Sequence, residues 1–487
     1  YNGGIKMKLL FVTPPMSNWV RWGARHLACN PLHAHLAAFV REKGTADVSV
    51  LDCRALEIDD EEMVDRVRAK GPDAVFFGTR LITDGGATPV VRFIEAMEKL
   101  KEALPRLITI TGGLTFSSIP KDLLTLAPQI DYVLVGEEEF TLVELLEDLK
   151  REKRRPEEIR GLAYRNESEI VLTPPRDLIS NLDQLPMPAY DLFPIDKHIG
   201  FSIIEHYNEA VTSRGCQGAC SFCYEWGLID SRRQGNFFIH RTRSGRLVAD
   251  EMELLNKTHG VKVLNFLDDD FNSERQKMVD LLEELEKRNL DMEWFFMGRA
   301  RNLMRDADLI PRMRRAGCYQ VLLGIEVGTD EELAQVHKSE DAVTIGDLKE
   351  LVGLLRKNDI GTVGTYMNGF WEDDAEKIKN RFRVVDEIDP DIGVLMLLTP
   401  MPGSPVWRHS LKENRIENLD LANWDAVHTI MPTRYLSREE LGQLSVWANR
   451  EFFSKPHRIE RIRNGYTSPI VRMKFETYQS AAHLIDK

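Results

Sequence analysis

Short runs of consecutive apolar residues recur through the first 150 residues, and each is followed by a stretch whose apolar positions fall three and four apart. The runs "KLLFVTPP" (8–15), "VSVLDC" (48–53), "AVFFGT" (74–79), "LITITGG" (107–113) and "YVLVGE" (132–137) read as buried strands. The segments "PLHAHLAAFVREKG", "DEEMVDRVRAKG" and "VRFIEAMEKLKEALP" between them read as helices. Continuously apolar strands alternating with amphipathic helices predict a parallel sheet covered on both faces, a doubly wound, Rossmann-like α/β domain over residues 1–150. Four of the five runs end in Thr, Pro or Gly, as "TPP", "GTR", "TGGLTFSS" and "VGEEE". Ligands of such sheets lie at the carboxyl ends of the strands, and glycine there lets backbone approach them closely. This domain is expected to hold a large cofactor.

Residues 151–200 change character. "KREKRRPEE" is a charged turn, "GLAYR" and "IVLTPPRDLI" form a possible hairpin, and "NLDQLPMPAYDLFP" is proline-rich and extended, as in a linker. From 201 to 410 the alternation resumes, with strands "EAVTSRG", "VKVLNFLDDD", "EWFFMGRA", "YQVLLGIEVG", "GTVGTYMNG" and "GVLMLLTP" separated by helical patterns such as "LVADEMELLNK" and "ERQKMVDLLEELEKR". Six such units predict a partial (β/α)6 barrel of TIM type, with its chemistry at the strand ends. Residues 411–487 read as a helical C-terminal region with a basic run, "KPHRIERIRNG". No internal repeat or low-complexity segment interrupts this order.

Composition narrows the function. With 487 residues the chain exceeds one hydrophobic core, and its net charge of −13 is spread out, which argues against nucleic acid as a partner. No apolar run reaches the length of a transmembrane helix, and no signal peptide opens the chain; "YNGGIK" before Met7 reads as an upstream remnant. Six cysteines in so long a chain are no disulfide framework, so a reducing, cytoplasmic setting is expected. Cys29, Cys53 and Cys318 stand alone and read as small buried hydrophobes.

The other three cysteines, Cys216, Cys220 and Cys223, form a CxxxCxxC run directly after the first barrel strand. Structural zinc and electron-transfer iron–sulfur sites take four protein ligands. Three thiolates leave an iron of a cluster open, and an open iron can bind a substrate. Phe222, just before the last cysteine, would shield such a cluster.

Cys216-x-x-x-Cys220-x-Phe222-Cys223 resembles the signature of the radical S-adenosylmethionine superfamily. That resemblance implies a 4Fe-4S cluster whose open iron chelates S-adenosylmethionine, and a 5′-deoxyadenosyl radical released on one-electron reduction. It also implies roles for residues further along the barrel. Asp268, Asp269 and Phe271 match an acidic second-strand end, and Arg299, with Arg301 behind it, matches an arginine near the cofactor. Gly324 and Glu326 match a GxE strand, Asn368-Gly369 a glycine-bearing strand end, and Pro402-Gly403-Ser404 the last turn. The family's GGE element is not evident. Asp250 and Glu251 in "LVADEMELL" stand in its place, with Glu251 the candidate for the amino group of S-adenosylmethionine.

The first domain is similar to the cobalamin-binding domain of the branch that uses both cofactors. "TGGLTFSSIP" and "VGEEEFTLVELL" resemble its GG and GEGE loops, so Gly112, Gly113, Ser117, Gly136 and Glu137 are implied corrinoid contacts. Leu114 stands where relatives have His, and Glu138 where they have Gly. The DxHxxG motif is absent, so cobalt would lack a protein His ligand, with Arg80 in "GTRLITDGG" a neighbour of its lower face. His33 and His35 point to different sides of one helix and are not paired as ligands.

Nearly end to end, the chain resembles the branch of the anaerobic magnesium-protoporphyrin monomethyl ester cyclase and of C-methyltransferases. The leading expectation is transfer of a methyl group from methylcobalamin to an unactivated carbon after hydrogen abstraction, with oxidative cyclisation or hydroxylation as the alternative. A cobalamin-binding sensor without catalysis is the third reading. Tyr366 and His428 are the candidate catalytic residues, with Trp371 and Trp407 near a pocket and Trp424 and Met431 as packing. The substrate class stays open among small molecule, tetrapyrrole, lipid and peptide, and flavodoxin or ferredoxin would supply electrons.

Overall fold

The structure is a computed structural model that describes residues 6–16, 26–78, 88–167, 169–218, 220–225, 233–234, 237–238, 240–337 and 343–484. Arg80 lies outside the described residues. The first sheet holds strands β1 (Met7–Thr13), β2 (Ala46–Asp52), β3 (Ala74–Gly78), β4 (Ile108–Gly112), β5 (Tyr132–Leu134), β6 (Leu162–Asn166) and β7 (Glu169–Leu172), in the order β2-β1-β3-β4-β5-β6-β7. The first five are parallel, in the doubly wound order 2-1-3-4-5. Alternation along β1 explains the two covering layers. Leu9 and Phe11 pack with Leu36 and Val40 of helix Pro31–Lys43, while Leu10 and Val12 pack with Phe93 and Met97 of helix Thr88–Ala103.

The domain does not stop at residue 150. The hairpin β6–β7 joins the edge of the sheet antiparallel, pairing Leu134 with Leu162, so the sheet extends through Leu172 and the connector is shorter than expected. A hairpin read in isolation carries no sign that its open edge will be claimed by a neighbouring strand.

The second sheet has six parallel strands in chain order: Tyr207–Ala210, Val263–Phe266, Glu293–Gly298, Cys318–Glu326, Gly361–Asn368 and Ile392–Leu397. It is a half-barrel, with five strands at the expected places and the first, expected at "EAVTSRG", starting earlier and ending at Ala210. Phe266, Phe271, Trp294 and Phe296 stack into one aromatic layer. Phe271 is therefore core, 1% exposed, rather than a ligand contact.

The C-terminal region is helical later than the sequence suggested. After helix Pro405–Lys412 the chain stays largely irregular until helix Arg438–Ser454. Asp420 accepts the N–H of Ala422, Asp425 accepts those of Val427 and His428, and Thr433 accepts those of Tyr435 and Leu436. Such side-chain bonds compete with helix. Helices Arg438–Ser454, Pro456–Asn464 and Pro469–Leu484 then close over the barrel. Gly393 makes room for this, since a Cβ there would lie 2.8 Å from the Phe452 ring. Among the described residues, no helix is long and apolar enough to cross a membrane.

Arg458 anchors that docking. Fully buried, it donates to the carbonyls of Phe452 (2.7 Å) and Pro390 (3.2 Å) and to Asp386 (3.1 Å) and Asp389 (2.9 Å). Its guanidinium also stacks 3.7 Å from the Phe452 ring. Asp389 keeps Arg461 and Asp386 keeps Lys455 without it, but the Phe452 and Pro390 carbonyls lose a charged donor, so Arg458→Met is expected to destabilise the protein by about 2 kcal/mol. Urea unfolding followed by tryptophan fluorescence reads this; an unchanged midpoint would mean apolar packing alone holds the helices.

Lys474, on the last helix, is buried among Phe295, Phe201 and Tyr319, with Nζ 4.1, 5.1 and 5.5 Å from their ring centres. Burial pulls its ammonium down to about 7, against a small opposing pull from Glu209. Above pH 7 the folded chain then holds fewer protons than the unfolded one, so stability rises with pH from about 7 towards the ordinary lysine range. Lys474→Met is expected to remove this slope and to stabilise the protein at neutral pH by about 2 kcal/mol. Melting curves of both proteins across that range would refute the idea if they ran parallel.

Candidate active site

The first barrel strand leads through Val211 and Thr212 into a two-residue ladder in which Ser213 and Arg214 pair with Thr242 and Arg241. Gly215, with φ 81°, then turns the chain into the loop of Cys216, Cys220 and Cys223. The three thiols line one cavity of about 260 Å³ at the strand ends. The Gly218 N–H points at Cys216 Sγ (3.3 Å) and the Glu225 N–H at Cys223 Sγ (3.4 Å), as suits sulfur that carries negative charge. Among the described residues, no three His, Cys, Asp or Glu side chains close on a single metal ion. The thiols instead open onto shared space, which fits a multi-iron cluster better than one zinc ion. Burial pushes Cys216 and Cys223 far above the usual thiol range and Cys220 up to about 12, with Arg299 opposing at Cys216 and Cys220. Metal must therefore displace protons as it binds.

The next strand braces this loop with three consecutive acids. Asp268 accepts the N–H and hydroxyl of Thr212 (2.9 and 3.0 Å), Asp269 accepts the Tyr224 hydroxyl, and Asp270 accepts the Gln217 N–H (3.4 Å) and an amide hydrogen of Asn302 (3.2 Å). Asp270 was not singled out by the sequence reading, although its place in "LDDDF" offered the signal. Burial pushes its carboxyl up to about 6, with Arg299 opposing.

Phe222, Asp269, Arg299, Gly324 and Glu326 all line the cysteine cavity, so the structure gathers these predicted residues in one place. Arg301 lines it too, from a more exposed position. Glu326 is strained: its φ is +65°, at a register slip in the strand pairing after Gly324. Burial pushes its carboxyl up to about 7, and the Thr365 hydroxyl approaches it at 3.4 Å. A Cβ at position 324 would lie 2.4 Å from Glu326 Oε1, so glycine there is what lets the carboxyl fold back over the strand. A strained, partly buried carboxyl and a guanidinium lining one cavity suit the ammonium and carboxylate of an amino-acid ligand. Thr365 was missed in the sequence; strand alternation places it in the cavity and Tyr366 on the other face.

Several expectations are corrected. Tyr366 is 1% exposed and faces the side of Arg458 and Asp386. His428 bonds Asp425 (2.8 Å) in the irregular C-terminal segment and does not line the cysteine cavity. Glu251 is buried behind the barrel, where it accepts the Tyr190 hydroxyl (2.6 Å) and pairs with Arg243 (3.4 Å). Asn368-Gly369 is held by Arg381 and Asp373 as a structural turn. Trp371 lies under Arg415, and Trp407 packs with Trp424, Leu114 and Tyr224.

At the edge of the first sheet, Gly113 and Gly136 end adjacent strands with φ of 97° and 91°. With Leu114, Pro31 and His35 they line a cleft of about 50 Å³ facing Thr212 and Ser213. Two left-handed glycines leave this strand edge bare of side chains, as a large flat ligand laid across it requires. Gly112 is close-packed against Glu138 and Phe76, and Ser117 ties the two loops by donating to the Leu134 carbonyl (3.0 Å) and accepting the Gly136 N–H (3.4 Å). Glu137 departs from expectation. Its carboxylate is taken up by Arg241 (2.8 and 3.1 Å) and the Ile179 N–H (2.7 Å) instead of facing the strand edge. His33 is buried and accepts the Gly78 N–H (3.2 Å), and burial lowers its imidazole to about 3; His35 contacts the Val211 carbonyl (3.1 Å).

Comparison with known proteins agrees with this geometry. Residues 33–146 match the B12 binding domain, and residues 210–382 match the radical SAM superfamily. The chain is 25% identical over 450 residues to an uncharacterized methyltransferase of Pyrococcus horikoshii, covering 92% of this chain and 93% of that one. It is 26% identical over 452 residues to the anaerobic magnesium-protoporphyrin IX monomethyl ester cyclase of Rubrivivax gelatinosus, covering 92% and 77%. Its fold matches the radical S-adenosylmethionine methyltransferase TsrM of Kitasatospora setae, solved with cobalamin and a [4Fe-4S] cluster, with a TM-score of 0.71 at 18% identity over 99% of both chains. With its cysteine loop at the mouth of a half-barrel, the chain joins a B12 binding domain to a radical SAM domain, the two domains of a cobalamin-dependent radical S-adenosylmethionine enzyme.

Proposed function

We propose that the protein is a cobalamin-dependent radical S-adenosylmethionine C-methyltransferase acting on an unactivated carbon. The observation that carries this reading is the apposition of the two ligand edges. Leu114, from the glycine loop of the first domain, packs in one cluster with Tyr224 of the cysteine loop and Trp424 of the C-terminal segment. When bound, the cluster with S-adenosylmethionine supplies a hydrogen-abstracting radical, and cobalamin supplies the methyl group.

The chain's own residues bind, orient and exclude water. Cys216, Cys220 and Cys223 would hold the cluster through three thiolates, which leaves it a position at which S-adenosylmethionine would bind. Glu326 accepts from the ammonium of that ligand, Arg299 takes its carboxylate, and Gly113 and Gly136 bear on the corrinoid. Trp407, Trp424 and Ile430 roof the junction, so that a substrate radical meets the methyl donor rather than solvent. Similarity to the cyclase of Rubrivivax gelatinosus favours oxidative cyclisation as the second reading. A sensor would need neither the cysteine cavity nor the strained Glu326. A small-molecule substrate and a one-electron donor of the flavodoxin or ferredoxin kind complete the scheme. Six free cysteines among the described residues suit a cytoplasmic, reducing setting.

Anaerobic reconstitution with iron, sulfide and hydroxocobalamin, followed by methyl-labelled S-adenosylmethionine and reductant, tests the reaction class. Label on cobalamin together with equal yields of S-adenosylhomocysteine and 5′-deoxyadenosine is the expected result. Replacing Cys216, Cys220 and Cys223 together by Ala is expected to abolish 5′-deoxyadenosine and iron uptake while corrinoid binding persists. 5′-Deoxyadenosine without labelled cobalamin would overturn the methyltransferase in favour of the cyclase chemistry.

Glu326→Gln is expected to weaken binding of S-adenosylmethionine by about tenfold or more, the cost of losing a charged hydrogen bond, with iron content unchanged. Equilibrium binding to the cluster-loaded protein measures it. An unaltered affinity would remove Glu326 from the ligand's ammonium.

A further inference from the structure

The acidic run after β5, Glu137-Glu138-Glu139, does not present three equivalent side chains. Glu138 turns back into its own domain and accepts the Gly113 N–H (2.8 Å). Glu137 and Glu139 reach into the barrel. Glu137 takes Arg241 through both carboxylate oxygens (2.8 and 3.1 Å) and lies 3.4 Å from Arg214. Glu139 takes both terminal nitrogens of Arg214, one at 3.2 Å. The two arginines face each other across the short ladder that opens the cysteine loop, Arg214 directly opposite Arg241. The two carboxylates are 1–2% exposed, and Arg241 and Arg214 are 8% and 14% exposed.

This square of charge spans the distance that the reaction depends on. At one end it begins one residue after Gly136, the left-handed turn at the corrinoid edge. At the other, Arg214 stands two residues before Cys216. Buried ion pairs add little net stability over apolar packing of similar volume, and their best-attested use is to fix one arrangement against its neighbours. Forked, two-oxygen contacts fix direction as well as distance, which an apolar contact does not.

We propose that Arg214, with Glu139, Glu137 and Arg241, is a positioning array that sets the separation of the corrinoid edge from the cysteine loop. Arg214 reaches the rim of the cleft beside Gly113 and Gly136, and the array acts through the loop it holds. The inference rests on the two-cofactor reading above for its consequence in catalysis, but not for its geometry.

The test compares wild type with Arg214→Met, Glu139→Met and the double variant in the full-length, cofactor-loaded protein. Pulsed electron paramagnetic resonance between the reduced cluster and cob(II)alamin reads the distance distribution. Wild type is expected to give a narrow distribution and all three variants a broad one, with iron content near wild type. The ratio of 5′-deoxyadenosine to S-adenosylhomocysteine is expected to rise about tenfold, since misplacement by about an ångström is enough to uncouple the steps. The double variant separates positioning from stability. Its paired Met side chains are expected to restore the melting temperature but not the narrow distribution. A double variant with wild-type distance distribution and product ratio would overturn the array. If wild type takes up no corrinoid, the methyltransferase reading fails instead. The array is then read by hydrogen exchange of residues 136–141 and 213–225 in the cluster-loaded chain, where a double variant as protected as wild type would overturn it.

Discussion

A loop that carries three thiols into a buried cavity has no ladder or helix of its own, yet each polar backbone group it buries needs a partner. Everything around the cavity answers that constraint. The adjoining strand ends in Asp268, Asp269 and Asp270, which hold Thr212, Tyr224 and Gln217, before, after and within the cysteine run. The ladder at Ser213–Arg214 fixes the entrance, and the N–H of Val406 bonds the Ser221 carbonyl (3.2 Å) from the far side of the half-barrel. The loop is thus shaped by its neighbours, and its sulfurs are held facing one space. Sites set on rigid elements keep their geometry better than sites left to free loops.

The same logic explains where strain is tolerated. Glu326 keeps a backbone conformation unfavourable for its side chain because the strand on either side of it is paired and packed. Leu322, Gly324 and Glu326 alternate onto the cavity face, and the slip in pairing after Gly324 accompanies the left-handed backbone at Glu326. Glycine at 324 is required by the folded-back carboxyl rather than by its own φ. The result is an acid that shares one cavity with Arg299 and the three thiols, with the Thr365 hydroxyl 3.4 Å from it.

Much of this was legible in the sequence, for identifiable reasons. Parallel strands buried on both faces stand out as unbroken apolar runs, so the five strands of the first domain and the last five of the barrel fell where expected; the first barrel strand, expected at "EAVTSRG", lies earlier, at Tyr207–Ala210. The cysteine spacing and the GxE element sit within short segments, so their geometry is local. What failed was long-range. Tyr366 and Thr365 are adjacent, and only the register of the sheet decides which faces the cavity. The β6–β7 hairpin was visible, but not its docking on β5. The C-terminal region reads as mostly helical with "DLANWDAVHTIMP" near a loop; the irregular stretch is longer than that, because Asp420, Asp425 and Thr433 take up backbone N–H groups there.

Glu137 and Glu251 carry a more general lesson. Both are buried acids near the right loops, and both were read as cofactor contacts. Each is instead satisfied by an arginine from one short segment, Arg241 and Arg243 in "HRTRSGR", which crosses from the cysteine loop to the helix Gly245–His259. Glu251 further takes the hydroxyl of Tyr190 from the linker. Three parts of the chain (first domain, linker and barrel) therefore meet on two buried arginines. A buried carboxylate in a two-domain enzyme must find a cation, and a fixed arginine in the partner domain is always present, whereas a ligand is not. Glu326 has no such arginine bonded to it among the described residues, and the proposed contact with the ligand's ammonium uses that difference. The pairing of each acid, more than its motif, separates the joints of this protein from its site.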